Sequence, residues 1–258
     1  MHIKILAVGD VCGKPGLEHL KHHLPRILRE EEIAFTVVNG ENAAMIGISP
    51  QQAEEIFDAG ADAITLGNHS FGRKEIIPYL EEMPNILRPI NLSPRAPGRG
   101  YATYQRDWGQ VLVCSLIGRC SMDFGPDNPF FAIDGLLKRK QADIILVDFH
   151  AEATSEKLAM GHYLDGRVTA LWGTHTHVQT ADGMVLPQGT GYVTDLGMTG
   201  PMHSVLGVLP QQSISMFLGY PRGRYEAAPG PCKLDCAIFT IDPQTKRCIS
   251  VEVKSIYD

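Results

Sequence analysis

The stretch WGTHTHVQT (172–180) carries His175 and His177 two places apart, directly after an apolar run. At strand spacing, two such side chains face the same side. Two imidazoles aimed at one place repel when protonated and suit a cation when neutral. Four more clusters have the same setting: Asp10 after IKILAVG, Glu41 and Asn42 in NGEN, Asn68 and His69 in GNH, and His150 closing IILVDFH. Carboxylate, carboxamide and imidazole form a mixed oxygen and nitrogen set that suits manganese, iron or zinc rather than calcium or magnesium. The absence of a thiolate from the set argues against structural zinc. Asp10, Glu41, Asn42, Asn68, His150, His175 and His177 are too many ligands for one tetrahedral ion and about right for two.

Each cluster also has a plainer explanation. Asp10 could cap a helix, Glu41 with Asn42 could form a solvated loop, and Asn68 with His69 a turn. His150 could be a hydrogen-bonded core residue. None of these explains why such residues recur past the ends of five apolar runs. In parallel α/β sheets that edge is where ligands bind.

The elements that must position these residues alternate in type. Ile3–Val8 reads as a strand ending in a Gly-Asp turn, and Pro15 opens a helix over 15–31. Strands are predicted at 35–38 and 61–66, with helices at 50–59 and 73–82. The middle adds strands at 101–106, 110–117 and 143–147, a helix at 130–141, and an apolar run at 168–172. Beyond Gly189 the pattern is strand-like, at 233–241 and 248–256, with one helix at 213–218. Such βαβ succession implies a largely parallel sheet with helices packed on it. No repeat or linker interrupts residues 1–258, which are read as one domain.

At 258 residues, 44% apolar and 20% charged, the chain has the composition of an ordinary globular protein. A formal charge of −6 argues against a nucleic-acid backbone or an anionic membrane as main partner. Bound cations could still reverse the sign locally for a small phosphorylated substrate. No run reaches the ~18 apolar residues of a membrane span, and MHIKILAVGD is too short for a signal peptide. Six scattered cysteines read as reduced thiols of a cytoplasmic protein. Cys232 and Cys236 lack a second pair and read as packing. GDVCGKPG fails as a phosphate-binding loop: only three residues separate Gly9 from Gly13, and Pro15 stands where Ser or Thr is needed. Lys14 and Cys12 lie near Asp10, the one a candidate phosphate contact and the other a candidate weak ligand. Asp148, two places before His150, is a candidate for orienting a ligand histidine. No aromatic clamp stands out; Tyr163, Phe124 and Phe71 are the candidates.

GDVCGKPG, NGEN, GNH, DFHAEATSEK, GTHTHVQTAD and TDLGMTGP follow one another in the order of the YmdB-like branch of the calcineurin-like metallophosphoesterases. The chain resembles that branch from Ile3 to about Val253. The resemblance implies a four-layer α/β/β/α sandwich around a binuclear metal centre, and a 2′,3′-cyclic-nucleotide 2′-phosphodiesterase. By resemblance, Asp10, Asn42 and His177 hold one metal, Asn68, His150 and His175 the other, and Glu41 bridges them. His69 matches the proton donor. The chain departs from the wider superfamily at Cys12, where a histidine is usual, and at Gly40-Glu41-Asn42. The implied cofactors are two divalent or trivalent ions, iron first, with manganese or zinc as alternatives. A metal-bridging hydroxide is expected to attack the phosphorus of substrates such as 2′,3′-cyclic AMP, with His69 protonating the leaving oxygen. The alternatives are a phosphomonoesterase or nucleotidase of broader specificity, and a metal-binding regulatory protein with little turnover. The partner expected is a small phosphorylated substrate, with no membrane or stable nucleic-acid binding, and with self-association left open.

Overall fold

The structure, a computed structural model, describes residues 2–123, 125–221 and 223–257. Its elements in order are β1 (Ile3–Val8), β2 (Asp10–Val11), α1 (Gly13–Glu30), β3 (Phe35–Asn39), α2 (Pro50–Asp58), β4 (Ala63–Thr65), α3 (Ile76–Glu82) and β5 (Ile86–Leu87). There follow β6 (Tyr101–Arg106), β7 (Gly109–Ile117), α4 (Pro129–Arg139), β8 (Ile144–His150), α5 (Thr154–Leu164) and β9 (Ala170–Thr174). The last part holds β10 (Met184–Val185), β11 (Gly191–Val193), β12 (Met198–Pro201), α6 (Pro210–Phe217), β13 (Cys232–Ile241) and β14 (Cys248–Tyr257).

Two sheets form. The first runs β2-β12-β13-β1-β3-β4-β5, with β14 on the far edge of β13; the second runs β10-β11-β9-β8-β7-β6. Parallel pairing, as expected, makes the centres: β1-β3-β4-β5 in one sheet and β7-β8-β9-β11 in the other. Antiparallel strands complete the margins, β13 with β14 in the first sheet and β6 and β10 in the second.

Strand alternation sorts the apolar residues into three cores. Ile5, Ala7, Phe35, Val37 and Phe239 face Val113, Leu146, Ala170 and Trp172 between the sheets. The opposite faces of the same strands, Leu6, Val8, Val38 and Ile64, pack under Leu17, Leu20, Leu24 and Ile27 of α1, Ile56 of α2 and Leu80 of α3. On the other side, Leu112, Val147 and Leu171 pack under Ile133 and Leu136 of α4 and Met160 and Leu164 of α5. The layers are therefore helix, sheet, sheet and helix, the expected four-layer sandwich. Helix α2 starts where its sequence says it should: Ser49 and Gln52 form a capping box, with Pro50 in the first turn.

Three expectations change. Helix α3 begins at Ile76, three residues late, and α5 occupies a stretch with no apolar period. Strand β9 ends at Thr174, so the histidine pair lies beyond it. His175 and His177 both take left-handed backbone, φ 99° and 62°, and do not share a strand face. All six cysteines are free thiols, and Cys232 and Cys236 are buried in β13. Among the described residues no helix is long and apolar enough to cross a membrane.

Candidate metal centre

Five strand ends from both sheets converge on one rim. Asp10 is reached from β1 through Gly9, where a Cβ would lie 2.4 Å from the Gly197 carbonyl oxygen, so only glycine lets β2 turn in beside β12. Glu41 and Asn42 follow β3, and the Asn39 side chain accepts from the Glu41 N–H at 3.2 Å. Asn68 and His69 follow β4. From the second sheet come His150, the last residue of β8, and the His175-Thr176-His177 turn after β9.

The polar atoms fall into two neighbouring groups. In one, His150 Nε2 lies 2.9 Å from Glu41 Oε1, 2.9 Å from Asn68 Oδ1 and 3.0 Å from His175 Nδ1. In the other, His177 Nε2 lies 3.6 Å from Asp10 Oδ1 and 3.1 Å from Asn42 Nδ2. Asn42 Nδ2 also sits 3.4 Å from Glu41 Oε1, so Glu41 stands between the groups. The His175 N–H donates to Asp10 Oδ2 at 3.2 Å, which ties the second histidine turn to the first sheet. All seven candidate ligands are thus brought together.

The outward nitrogens of the three histidines set their tautomers. His150 Nδ1 faces Thr174 Oγ1 at 2.9 Å, and the Thr174 hydroxyl donates to Asp148 Oδ1 at 2.6 Å, so Nδ1 must carry the proton. Asp148, held also by Thr65 and Asn39, therefore acts on His150 through Thr174 and not directly. His177 Nδ1 donates to the Leu206 carbonyl at 3.1 Å, with Cys12 Sγ 3.4 Å away. His175 Nε2 reaches Glu152 Oε2 at 3.2 Å. Each imidazole thereby turns its other ring nitrogen inward, the arrangement that outer oxygen acceptors give metal-bound histidines.

Electrostatics point the same way. Asp10 and Glu41 are fully buried, and among the described residues no Lys or Arg lines the cavity beside Glu41. Burial would raise both carboxyls, but His177 beside Asp10 and His150 beside Glu41 outweigh it and hold both low. Burial likewise lowers a histidine, yet Glu41 and Asp10 raise His150, while Cys12 and Asp10 raise His177 well above its ordinary value. His175 is pushed down to about 3 by burial and by the neighbouring His150 charge. Two buried anions need positive charge among them, which the protonated histidines or a bound cation in their place supply. Ligands at about 2.1 Å from one cation stand roughly 3.0–3.5 Å apart, so the spacings here fit metal ions. Asn42 turns its amide nitrogen to this group and its oxygen to His69 Nδ1 at 2.9 Å; a half-turn of the amide would exchange the two.

His69 is less buried than its neighbours and sits on the wall of the cavity, its N–H on Glu41 Oε2 at 3.2 Å. That cavity, of about 370 Å³, has His175 and His177 on its floor and lies between the segment after β3 and α6. Glu152, Thr174 and Leu206 were not singled out from sequence. Glu152 stands two places after His150 in DFHAEATSEK, a signal that was there to be used. Lys14 is exposed and lines a different groove, with Glu18 and Glu55. Of the aromatic candidates, Phe71 packs on the first helical layer and Tyr163 donates to Asp134 at 2.6 Å on the far side of the second sheet. Phe124 lies outside the described residues.

A buried carboxylate, carboxamide and imidazole cluster at the rim of a four-layer sandwich defines an α/β protein with a candidate metal site. The chain belongs to the YmdB-like protein family, whose model matches residues 6–253. It is 42% identical over 255 residues, 97% of this chain and 96% of the other, to a 2′,3′-cyclic-nucleotide 2′-phosphodiesterase of Bacillus subtilis. A solved structure from Mycoplasma pneumoniae, described as a novel phosphatase, superposes with TM-score 0.94 at 34% identity over 100% of this chain and 94% of that one. A hypothetical protein from Thermus thermophilus superposes with TM-score 0.93 at 37% identity over 99% of this chain and 100% of that one.

Proposed function

We propose that this protein is a metal-dependent phosphodiesterase that opens 2′,3′-cyclic nucleotides to 3′-nucleotides. The observation that carries the reading is the placing of His69 in the wall of the cavity that Glu41, Asn42, His175 and His177 also line, with Asp10, Asn68 and His150 in contact with them from behind. Breaking a phosphodiester requires a nucleophile at neutral pH, neutralisation of the phosphoryl oxygens and a proton for the leaving alkoxide. Two bound cations, iron first and manganese or zinc as alternatives, would supply the first two. Asp10, Asn42 and His177 would hold one and Asn68, His150 and His175 the other, with Glu41 between them.

The chain's own residues do the rest. With its amide turned so that the oxygen faces the metal, Asn42 would donate its N–H to His69 Nδ1, which leaves the other ring nitrogen to give a proton to the 2′ oxygen as its bond to phosphorus breaks. Water supplies the oxygen that replaces it; one of that water's protons makes good the one His69 gives up, and the other stays on the 3′-phosphate or passes to solvent. A broader phosphomonoesterase is the second reading, favoured by the phosphatase description of the Mycoplasma relative. Metal analysis of the purified protein, alongside hydrolysis of 2′,3′-cyclic AMP, 3′-AMP and p-nitrophenyl phosphate, separates the two. Cyclic substrate turned over far faster than either monoester supports the diesterase; the reverse order overturns it.

A further inference from the structure

Above the polar floor the cavity changes character. Met45 and Ile46 stand on one side, and Val208, Met216, Phe217 and Tyr225 on the other. Phe217, the last residue of α6, is 82% exposed, and Ile46 is 42% exposed. Large apolar side chains displayed at the mouth of a polar site cost hydration free energy unless something covers them. Tyr225 directs its hydroxyl to Met216 Sδ at 3.4 Å, which fixes the thioether and the ring against each other.

We propose that this wall is a nucleobase subsite, which holds the base of a nucleoside phosphate whose phosphate lies on the floor. The proposal rests on the phosphoesterase reading and adds what the rest of the substrate must be. Among the described residues no Lys or Arg lines the cavity, and the wall above the metal-site residues offers no cation to a second phosphate. An uncharged, flat group is welcome: aromatic faces and thioethers both make favourable contacts with rings. The volume of about 370 Å³ falls within the roughly 300–1,000 Å³ of small-ligand sites and suits a mononucleotide rather than an oligonucleotide. Recognition by stacking is tolerant of base identity, because every base has a π face. The subsite therefore selects for the presence of a base and only weakly for which base.

The test uses the metal-loaded full chain and two probes, adenosine 3′-monophosphate and inorganic phosphate, titrated to equilibrium. Phe217→Ala and Tyr225→Ala should each weaken the nucleotide about tenfold, leave phosphate affinity where it was, and raise KM for 2′,3′-cyclic AMP by a similar factor. Phe217→Trp, which keeps a stacking face, should restore binding. Nucleotide affinity unchanged in Phe217→Ala, or phosphate affinity falling in parallel with it, overturns the subsite. Wild-type protein that binds the nucleotide more tightly than phosphate through Phe217, yet leaves cyclic nucleotides intact, sinks the diesterase reading and supports the subsite. Turnover of cyclic AMP with no effect of either substitution does the opposite.

Discussion

Lys157 Nζ and Asp195 Oδ2 meet at 2.6 Å with both side chains 1% exposed. The same carboxylate oxygen accepts from the Thr176 hydroxyl at 2.7 Å and from the Thr176 N–H at 3.3 Å. Thr176 is the middle residue of the histidine turn, and its two neighbours hold left-handed backbone. Such conformations cost about 1–3 kcal/mol per non-glycine residue and persist only where the surroundings overdetermine them. Lys157 and Asp195, from two separate motifs, supply that constraint.

Lys157→Met leaves the Asp195 carboxylate buried without its cation and should destabilise the fold by about 3–5 kcal/mol. Adding Asp195→Asn to it should recover part of the loss, since a neutral pair is cheaper to bury than a lone charge. Urea unfolding of the metal-free single and double variants measures both. Equal stability of the single and double variants would show that the ion pair is not what constrains the turn.

His69→Ala should keep the metals and lose about 10²–10⁴ in turnover. Asp10→Ala and His177→Ala should lose metal and activity together. Metal stoichiometry measured beside kcat separates the two patterns, and normal turnover by the His69 variant removes it as proton donor.

Gly67 lies flat under the His150 ring: a Cβ there would come within 2.2 Å of Cδ2 and 2.4 Å of Nε2. Gly67→Ala must push the imidazole off its position and should weaken metal binding by roughly 10–100-fold or more. Circular dichroism should show the fold intact, and chelator competition should show the loss. Retained affinity would mean that His150 is not a ligand.

Asp182 accepts from the Thr180 hydroxyl at 2.6 Å, from the Thr194 N–H at 3.1 Å and from the Thr194 hydroxyl. Burial would raise its carboxyl, but these hydrogen bonds outweigh it and leave the group below its ordinary 3.8. A carboxyl depressed on folding gives stability that is present above the unfolded value and lost as pH falls through the lower folded one. Asp182→Asn should therefore destabilise the metal-free protein at pH 7, by a small amount because the group is partly exposed. The gap to wild type should close below about pH 4. A gap independent of pH would mean that the charge contributes nothing.

Much of this was legible in the chain. Apolar runs such as IKILAV and IILVDF are buried on both faces between a helical layer and a facing sheet, so the parallel strands announce themselves. The polar residues just past them were legible for the same reason. Helix α5 was not: TSEKLAMGHYL buries Lys157, Met160, Gly161 and Leu164 yet exposes Leu158 and Tyr163, so no apolar period marks it. Nor could residue type reveal that His175 and His177 leave the strand with positive φ, since that backbone is held by Asp195, which grips Thr176 from 19 residues further on. Glu152 and the Leu206 carbonyl act on the histidines from outside, and neither distance along the chain nor composition points to a carbonyl.

The rim draws Asp10, Glu41 and Asn68 from one sheet and His150, His175 and His177 from the other. Cations bound there would rivet the two halves of the sandwich at the end where a polar seam of Asn39, Thr65, Asp148 and Thr174, rather than hydrocarbon, fills the gap. By mass action, occupancy at a hundred times the dissociation constant adds about 2.7 kcal/mol per site to resistance against unfolding. The melting temperature of this protein then becomes a reading of the free metal around it, and starvation for the ion would shorten the lifetime of the chain as well as silence its chemistry.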